Sequence, residues 1–454
     1  MKLKHYLTKQ KWITKSMALL LLMALPLSGC SKSPSAPSDG KDINAENVHT
    51  ESGEKEIVIS LDAENEYLTR AAEKYMEAHS DVEITLNIID TQNNRDKYTQ
   101  AVSTEIMSGK GADIYDATFL SYFKLADSDM LVDLNDYIGQ ELNNEKYYSS
   151  LMDSLLYNGK RYTIPLSFNF SGYQIDQAVA DEYDINIPEG NLKISDLLHF
   201  SEQLPKDGSV MLFDGGGMGM NDVMLTSQLI GQQFSEFVDM SGKTANFENE
   251  EFYSILEAVK KIVDNQQLYT QKAEMNNEIN YSITKKSLIK QFLLYTPAMS
   301  NDGTMAYKDI ILLTNDEGNT TFSSASFLPI ISENSKNKEL AADFILFLLS
   351  DEMQSMPELL FCPVNQDAVR EVSLLVYEDS KAGGWLPDNF TEETLDVNID
   401  TFAKLADSLG IFEKQERFVN SLINNELDVL YQGSETPEQA AANLQASVQS
   451  YLNE

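Results

Sequence analysis

The stretch Glu56-Ile57-Val58-Ile59-Ser60-Leu61 is rich in β-branched residues and predicts the first strand of a folded body. Apolar residues at helical spacing follow it, then an alternating strand over residues 82–88 and a second helix with an apolar face at Tyr98, Val102 and Ile106. The run 112–117 predicts a third strand. Strands and helices that alternate at these lengths predict an α/β body with a parallel sheet and right-handed crossovers.

Later segments predict further elements. The pair Asn158-Gly159 tolerates positive φ and predicts a tight hairpin turn. The glycine-rich run 214–220 predicts a flexible loop that enters a helix near Asn221, or a backbone that a ligand can approach closely. Further helices are predicted at 252–263, 338–349 and 400–408, and after Thr436-Pro437-Glu438.

The amino terminus has the pattern of an export signal. Five lysines precede an apolar run, Met17 to Leu27, that is too short to span a bilayer. The run ends in Leu27-Ser28-Gly29-Cys30, which resembles a bacterial lipobox. The resemblance implies that residues 1–29 are removed and that Cys30 carries lipid; the alternative is an ordinary secretory signal with a chance cysteine. We therefore expect residues 30–55 to form a polar, flexible stalk, and the protein to be anchored at the outer face of the cytoplasmic membrane by lipid alone.

The composition restricts the partners. The whole chain has a net charge of −37, which becomes −42 when the five signal lysines are removed. Nucleic acid is therefore excluded as a partner, because phosphate binding needs a basic surface. The chain after residue 29 fits two domains of about 200 residues each. Its cysteines are Cys30 and Cys362, so lipidation of the first leaves no intrachain disulfide.

Motifs for catalysis, metals and cofactors are not found in the sequence. His79 and His199 stand alone, without Cys or His at ligand spacing, so no metal site is predicted. The acid pairs Asp62/Glu64 and Asp113/Asp116 cannot be assigned as a catalytic dyad in so acidic a chain. We therefore predict no catalytic residue and no cofactor.

Several stretches together carry a family resemblance. They are 108–116, 158–165 with Gly172-Tyr173, 237–252, 337–345 and 436–441. In this order and spacing they resemble the extracellular solute-binding proteins of bacterial ABC importers, family 1, of the maltodextrin-binding type. The resemblance implies a two-lobe α/β fold of the periplasmic-binding-protein class II type, with a hinge and an interlobe ligand cleft.

The resemblance also implies domain boundaries. The first lobe would comprise residues 56–166 plus 327–371, and the second lobe residues 168–325 plus 372–454. Hinge strands would cross near Pro165–Ser167, near Ser323–Ser326 and near Val372.

Candidate ligand-binding residues follow from these placements. In open α/β sheets ligands bind beyond the carboxyl ends of strands, which selects loops after the first and third strands. The two phenylalanines at the hinge are predicted to contact ligand, with packing in the core as the alternative. Trp385 lies in a Gly-Gly-Trp-Leu-Pro loop and is predicted to stack on a sugar, with packing of the loop against the core as the alternative. The predicted set is Asp62, Glu64, Asn65, Tyr115, Asp116, Phe168, Asn169, Phe170, Gly216 and Trp385.

The predicted function is capture of a small solute, most simply a sugar or oligosaccharide, and its delivery to permease subunits. Family members of this type usually stack sugars on several tryptophans, whereas this chain has only Trp385 after residue 12. Two alternatives remain: an exported lipoprotein enzyme that acts on carbohydrate, and a lipoprotein that scaffolds surface complexes.

Overall fold

The computed structural model describes residues 55–89, 91, 94–213, 220–268, 286–300, 309–324, 327–359, 361–384, 386, 390–412 and 416–454. Cys30, Gly216 and Trp385 lie outside these residues, as do the predicted signal and nearly all of the predicted stalk. None of the described helices combines the length and the apolarity that crossing a membrane requires.

The strands of the described residues are short except for one. They are β1 (Lys55–Leu61), β2 (Val82–Ile88), β3 (Ile114–Asp116), β4 (Ser167–Phe168), β5 (Phe170–Ile175), β6 (Val210–Phe213), β7 (Val238–Asp239), β8 (Thr244–Ala245), β9 (Lys286–Thr296), β10 (Met299–Ser300), β11 (Thr320–Phe322), β12 (Pro329–Ile331), β13 (Cys362–Pro363) and β14 (Leu409–Phe412).

Helices supply most of the remaining regular structure. They are α1 (Glu66–Ala78), α2 (Arg95–Ser108), α3 (Tyr122–Asp127), α4 (Asn135–Leu142), α5 (Ser149–Asp153), α6 (Gln177–Glu182), α7 (Ile194–Gln203), α8 (Asp222–Gln232), α9 (Phe234–Phe237), α10 (Glu250–Asp264), α11 (Lys338–Leu348), α12 (Asp351–Gln354), α13 (Gln366–Ala382), α14 (Glu392–Ala406), α15 (Arg417–Tyr431) and α16 (Pro437–Asn453).

The first sheet contains the three predicted strands. Its order is β12-β3-β1-β2, and β1 pairs in parallel with both β2 and β3. The predicted parallel pairing of these three strands is confirmed. A fourth strand, β12, was not predicted, and it pairs with β3 antiparallel. This strand returns from far along the chain, so a local sequence pattern does not indicate its direction.

A second sheet is built around the long strand β9. It pairs antiparallel with β5 and β10 and parallel with β6. The β5–β9 ladder runs from Phe170–Leu294 to Ile175–Ile289, so β5 enters this sheet three residues after the predicted hinge residue Ser167.

Two of the predicted hinge crossings lie side by side. Asn169 and Ser323 exchange backbone hydrogen bonds of 2.9 and 2.8 Å, and β4 pairs antiparallel with β13. The third crossing is predicted near Val372, which lies inside the helix α13. That crossing remains a prediction.

Two large apolar cores are present. The first contains buried side chains from 57–170 and 327–369, and the second contains those from 173–289 and 419–452. Two groups of side chains depart from the predicted partition, because they belong to the predicted second lobe and pack into the first core. They are Phe292, Leu294, Ile310, Leu312 and Phe322 in one stretch and Phe402, Leu409 and Phe412 in a later one. The exact lobe boundaries remain a prediction.

The local turn and helix predictions are confirmed with small shifts. Asn158 and Gly159 have φ of 52° and 75°, but a single bridge between Tyr157 and Lys160 replaces a longer hairpin. Asn221 caps α8 by accepting a hydrogen bond from the Met224 amide at 2.8 Å. The helix predicted at 400–408 begins earlier, at Glu392.

Candidate functional site

The carboxyl ends of β1 and β3 lie next to each other in the sheet, as the strand order requires. Asp62 follows β1 and is half-buried, while Glu64 is exposed. Asn65 begins α1, and its side-chain oxygen accepts a hydrogen bond from the Leu68 amide at 3.0 Å. Asn65 therefore has a capping role in the structure, and Asp62 is the acidic group of this loop nearest the strand end.

Asp116 closes β3 and is half-buried. Its Oδ1 accepts hydrogen bonds from the Thr118 hydroxyl at 2.6 Å, the Thr118 amide at 2.9 Å and the Leu328 amide at 3.2 Å. Burial raises the pKa of Asp116 from 3.8 to about 6; the three hydrogen bonds oppose this and the charge of Asp62 adds to it. The carboxylate thus shapes the loop after β3 and stands close to Asp62.

Tyr115 points away from this edge. It is 1% exposed, and its hydroxyl accepts a hydrogen bond from the Ala112 amide at 2.8 Å. Burial, and then the charge of Glu105, raises its pKa. Successive side chains of a strand face opposite sides, so Tyr115 and Asp116 cannot both face the strand-end loops. The structure does not bring Tyr115 together with Asp62 and Asp116.

The hinge phenylalanines are core residues in this structure. Phe168 and Phe170 are buried, and their ring centroids lie 5.7 and 5.0 Å from that of Phe402. Asn169, between them, is 6% exposed and pairs through its backbone with Ser323. This agrees with the core-packing alternative for the two rings, while the ligand role of Asn169 stays a prediction.

Tyr98 links the two strand ends to α2, and sequence reasoning placed it only in the core. Its hydroxyl lies 3.1 Å from the Ser60 carbonyl oxygen and 3.3 Å from that of Asp116. Burial is the main cause that raises its pKa. The tyrosine therefore holds β1, β3 and the start of α2 in one arrangement.

Phe119 lies in the loop after β3 beside two arginines that the sequence reasoning also missed. The guanidinium carbon of Arg95, at the start of α2, is 4.3 Å from the ring centroid, and that of Arg417, at the start of α15, is 4.4 Å from it. The sequence could have pointed to these arginines through their rarity, because the chain has only five arginines beside 71 acidic residues. We call Arg95, Phe119 and Arg417 the arginine–phenylalanine cluster.

Glu416 joins the same region to the last two helices. It is 2% exposed, its Oε2 accepts a hydrogen bond from the Ser121 hydroxyl at 2.6 Å, and its Oε1 accepts one from the Phe418 amide at 3.0 Å. Burial raises the pKa of this carboxyl. Lys124 adds a contact, with its Nζ 3.7 Å from the ring centroid of Tyr451.

A second polar link lies at the end of α3. Asp127 pairs with Lys243 at 2.7 Å and accepts a hydrogen bond from the Tyr157 hydroxyl at 2.8 Å. The segment 119–127 therefore contacts α15, α16 and the β7–β8 turn, all of which were predicted for the second lobe. It connects the strand ends of the first sheet to the second core.

No metal-binding group of three or more His, Cys, Asp or Glu side chains occurs among the described residues. Cys362 is fully buried, and burial raises the pKa of its thiol well above the ordinary value. A buried neutral thiol behaves as a small apolar side chain rather than as a nucleophile.

The family model of the bacterial extracellular solute-binding proteins matches residues 70–372, about two thirds of the chain. The chain belongs to this family. Among curated proteins, none matches the sequence significantly. The family is extracellular by its description, which agrees with the export signal predicted at the amino terminus.

Solved structures show the same fold for this solute-binding protein. A periplasmic oligogalacturonide-binding protein from Yersinia enterocolitica matches with a TM-score of 0.57 and 15% identity, over 88% of this chain and 99% of the other. An ABC substrate-binding protein from Listeria monocytogenes, in complex with cycloalternan, matches with a TM-score of 0.51 and 14% identity, over 88% and 99%. A de novo designed cysteine esterase matches with a TM-score of 0.58 and 16% identity, also over 88% and 99%. The likeness confirms the predicted two-lobe α/β binding-protein fold.

Proposed function

We propose that this solute-binding protein is the receptor subunit of an ABC importer and that its ligand is a saccharide. Family membership supports the receptor role, and the two matched binding proteins, one for oligogalacturonide and one in complex with cycloalternan, support the saccharide. The protein would hold the solute without chemical change and release it to permease subunits.

One observation carries the proposal for where the solute binds. The half-buried Asp62 and Asp116, at adjacent strand ends, lie in the same region as the segment 119–127, which contacts α15, α16 and the β7–β8 turn. Ligands of open α/β sheets bind at this edge, and carboxylates accept hydrogen bonds from sugar hydroxyls. Asp62, Glu64 and Asp116 are the proposed first-lobe ligand residues, with Asn169, Gly216 and Trp385 as further candidates.

Closure of the two lobes would accompany binding. A ligand that contacts both sides of a cleft binds the closed state more tightly than the open state and therefore favours closure. Hinge strands take up the accompanying change in backbone angles. The paired segments at Asn169 and Ser323 are the proposed hinge.

We further propose that Cys30 is lipidated and tethers the receptor to the outer face of the cytoplasmic membrane. The proposal rests on the lipobox after a short apolar run. Two or more acyl chains anchor a protein stably, whereas a single chain does so only marginally.

A thermal-shift screen of mono- and oligosaccharides tests the saccharide. A ligand present at about a thousand times its Kd adds about 4 kcal/mol to the free energy of unfolding, which raises the melting temperature by several degrees. X-ray scattering of the protein with the best ligand should then show a smaller radius of gyration than without it.

The same samples separate the alternatives. An unchanged saccharide, recovered by chromatography after prolonged incubation, supports the receptor, whereas turnover that one carboxylate substitution abolishes would establish the enzyme. No stabilisation by any saccharide would contradict the proposed ligand.

A further inference from the structure

The arginine–phenylalanine cluster contains two cations without an anionic partner in the part of the chain that the structure describes. The other three arginines each pair with a carboxylate there: Arg70 with Glu73 at 3.3 Å, Arg161 with Asp153 at 2.7 Å and Arg370 with Asp396 at 2.7 Å. Among the described residues, Arg95 and Arg417 differ from these three arginines in contacting an aromatic ring and no carboxylate.

The positions of both arginines are electrostatically unfavourable. Arg95 and Arg417 are the first residues of α2 and α15, where the helix dipole has its positive end. Arg417 is half-buried, and desolvation, followed by the charge of Arg95, lowers its pKa, while the charge of Asp96 opposes this shift. A bound anion would relieve the repulsion, the desolvation cost and the dipole penalty together.

The chemistry of the contact leaves both cations able to bind a ligand. An aromatic ring attracts a guanidinium group through its electron-rich face, and it offers no oxygen to the N–H donors that lie in the plane of that group. Those donors match the two oxygens of a carboxylate or phosphate. The half-buried ring of Phe119 thus lies beside two guanidinium groups that come from distant parts of the sequence.

We propose that Arg95, Phe119 and Arg417 bind a negatively charged group of the solute, so that the ligand is an anionic saccharide that carries a carboxylate or phosphate. This inference rests on the proposed function and narrows its substrate class. Because Arg95 and Arg417 come from the two predicted lobes, the anion would also favour their closure.

Calorimetric titration of the purified full-length protein tests the inference with matched saccharides. The probes are neutral gluco-, galacto- and xylo-oligosaccharides, the corresponding oligomers of glucuronate and galacturonate, and phosphorylated disaccharides. We expect one anionic probe to bind at least about tenfold more tightly than its neutral counterpart, with an affinity that falls as salt is added. Comparison of the uronate and phosphate arms identifies the charged group.

Charge-removing variants locate the effect. Arg95→Gln and Arg417→Gln should each reduce the preference for the anionic probe, measured as the ratio of its affinity to that of the neutral probe, by about tenfold or more. Arg370→Gln is the matched control, because it removes the same charge from an exposed arginine that has its own partner, Asp396. It should leave the preference unchanged.

The outcomes separate this inference from the proposed function. Equal or tighter binding of the neutral counterparts would overturn the anionic ligand and leave the saccharide receptor standing. An anionic preference that survives in both variants would overturn the cluster as its site. Failure of every saccharide to bind would overturn the proposed function as well. The comparison on the unaltered protein decides the ligand class even if a variant does not fold.

Discussion

At the scale of single residues, Asp116 is the predicted site residue with the best-defined surroundings. Its Oδ1 has three donors, yet burial still raises its pKa to about 6. Desolvation of the charged form therefore exceeds the gain from the hydrogen bonds. The site therefore favours the neutral form of this carboxyl, and a further hydrogen-bond donor would stabilise its charged form.

Asp116→Asn should change the pH dependence of stability. The unfolded carboxyl ionises near pH 4, whereas the folded one keeps its proton to about pH 6, so the folded state binds more protons in this window. The free energy of unfolding of the unaltered protein therefore falls as the pH rises from about 4 to about 6. The variant, which has no such group, should gain up to about 3 kcal/mol relative to it between pH 4 and pH 7.

Urea unfolding at both pH values measures this difference. Glu64→Gln, in the exposed part of the preceding loop, serves as the control and should show little change. A difference between Asp116→Asn and the unaltered protein that is the same at both pH values would contradict the assigned cause.

Trp385 remains a residue-scale prediction, since it lies outside the described residues. It is the only tryptophan after residue 12, so its fluorescence reports one position in the predicted mature chain. If it stacks on the saccharide, Trp385→Ala should lower the affinity about tenfold while the melting temperature changes little. Titration of the fluorescence and calorimetry measure this; unaltered affinity in the variant would refute the stacking role.

At the scale of elements, two glycines distinguish the effect of side-chain packing on stability from the effect of backbone propensity. A Cβ added to Gly172 in β5 would lie 2.7 Å from Cγ2 of Ile310 and 2.8 Å from Cδ1 of Leu294. A Cβ added to Gly231 in α8 would meet no atom within 4 Å. The same substitution thus acts on a crowded sheet in one place and on a free helix surface in the other.

We expect opposite signs for the two alanine variants. Gly172→Ala should lower the free energy of unfolding by about 1–3 kcal/mol, because it overpacks the contact between β5 and β9. Gly231→Ala should raise it by up to about 1 kcal/mol, because alanine loses less backbone entropy in a helix. Denaturant unfolding gives both values; stabilisation by Gly172→Ala would show that the sheet can relax around the added methyl group.

At the scale of the whole molecule, the question is where the protein resides. Cys30→Ala removes the proposed lipid site, so the protein should leave the membrane fraction or accumulate unprocessed. Cys362→Ala is the matched control, because this cysteine is fully buried and its replacement should leave the location unchanged. Fractionation followed by mass spectrometry of the amino terminus measures both. Normal processing with full membrane retention in Cys30→Ala would reject the anchor.

The sequence by itself determined the local elements. Apolar periodicity identified β1, α1, β2 and α2 almost to their bounds. Each of these elements buries one face, so apolar residues recur at the spacing of a strand or a helix within a short stretch of sequence. Thr436-Pro437-Glu438 predicted the start of α16 for the same local reason, since a helix is capped by residues next to it. Motifs in their order along the sequence also predicted family membership and the two-lobe fold.

Only the tertiary structure decided what meets across long separations. The direction of β12, the packing of Phe402 into the first core and the contact of Phe170 with that ring depend on segments far apart in the chain. The arginine–phenylalanine cluster was hidden for the same reason, because Arg417 reaches Phe119 only after the chain has folded. Local patterns record which residues are buried, whereas the identity of their partners is set by the free energy of the whole packed arrangement.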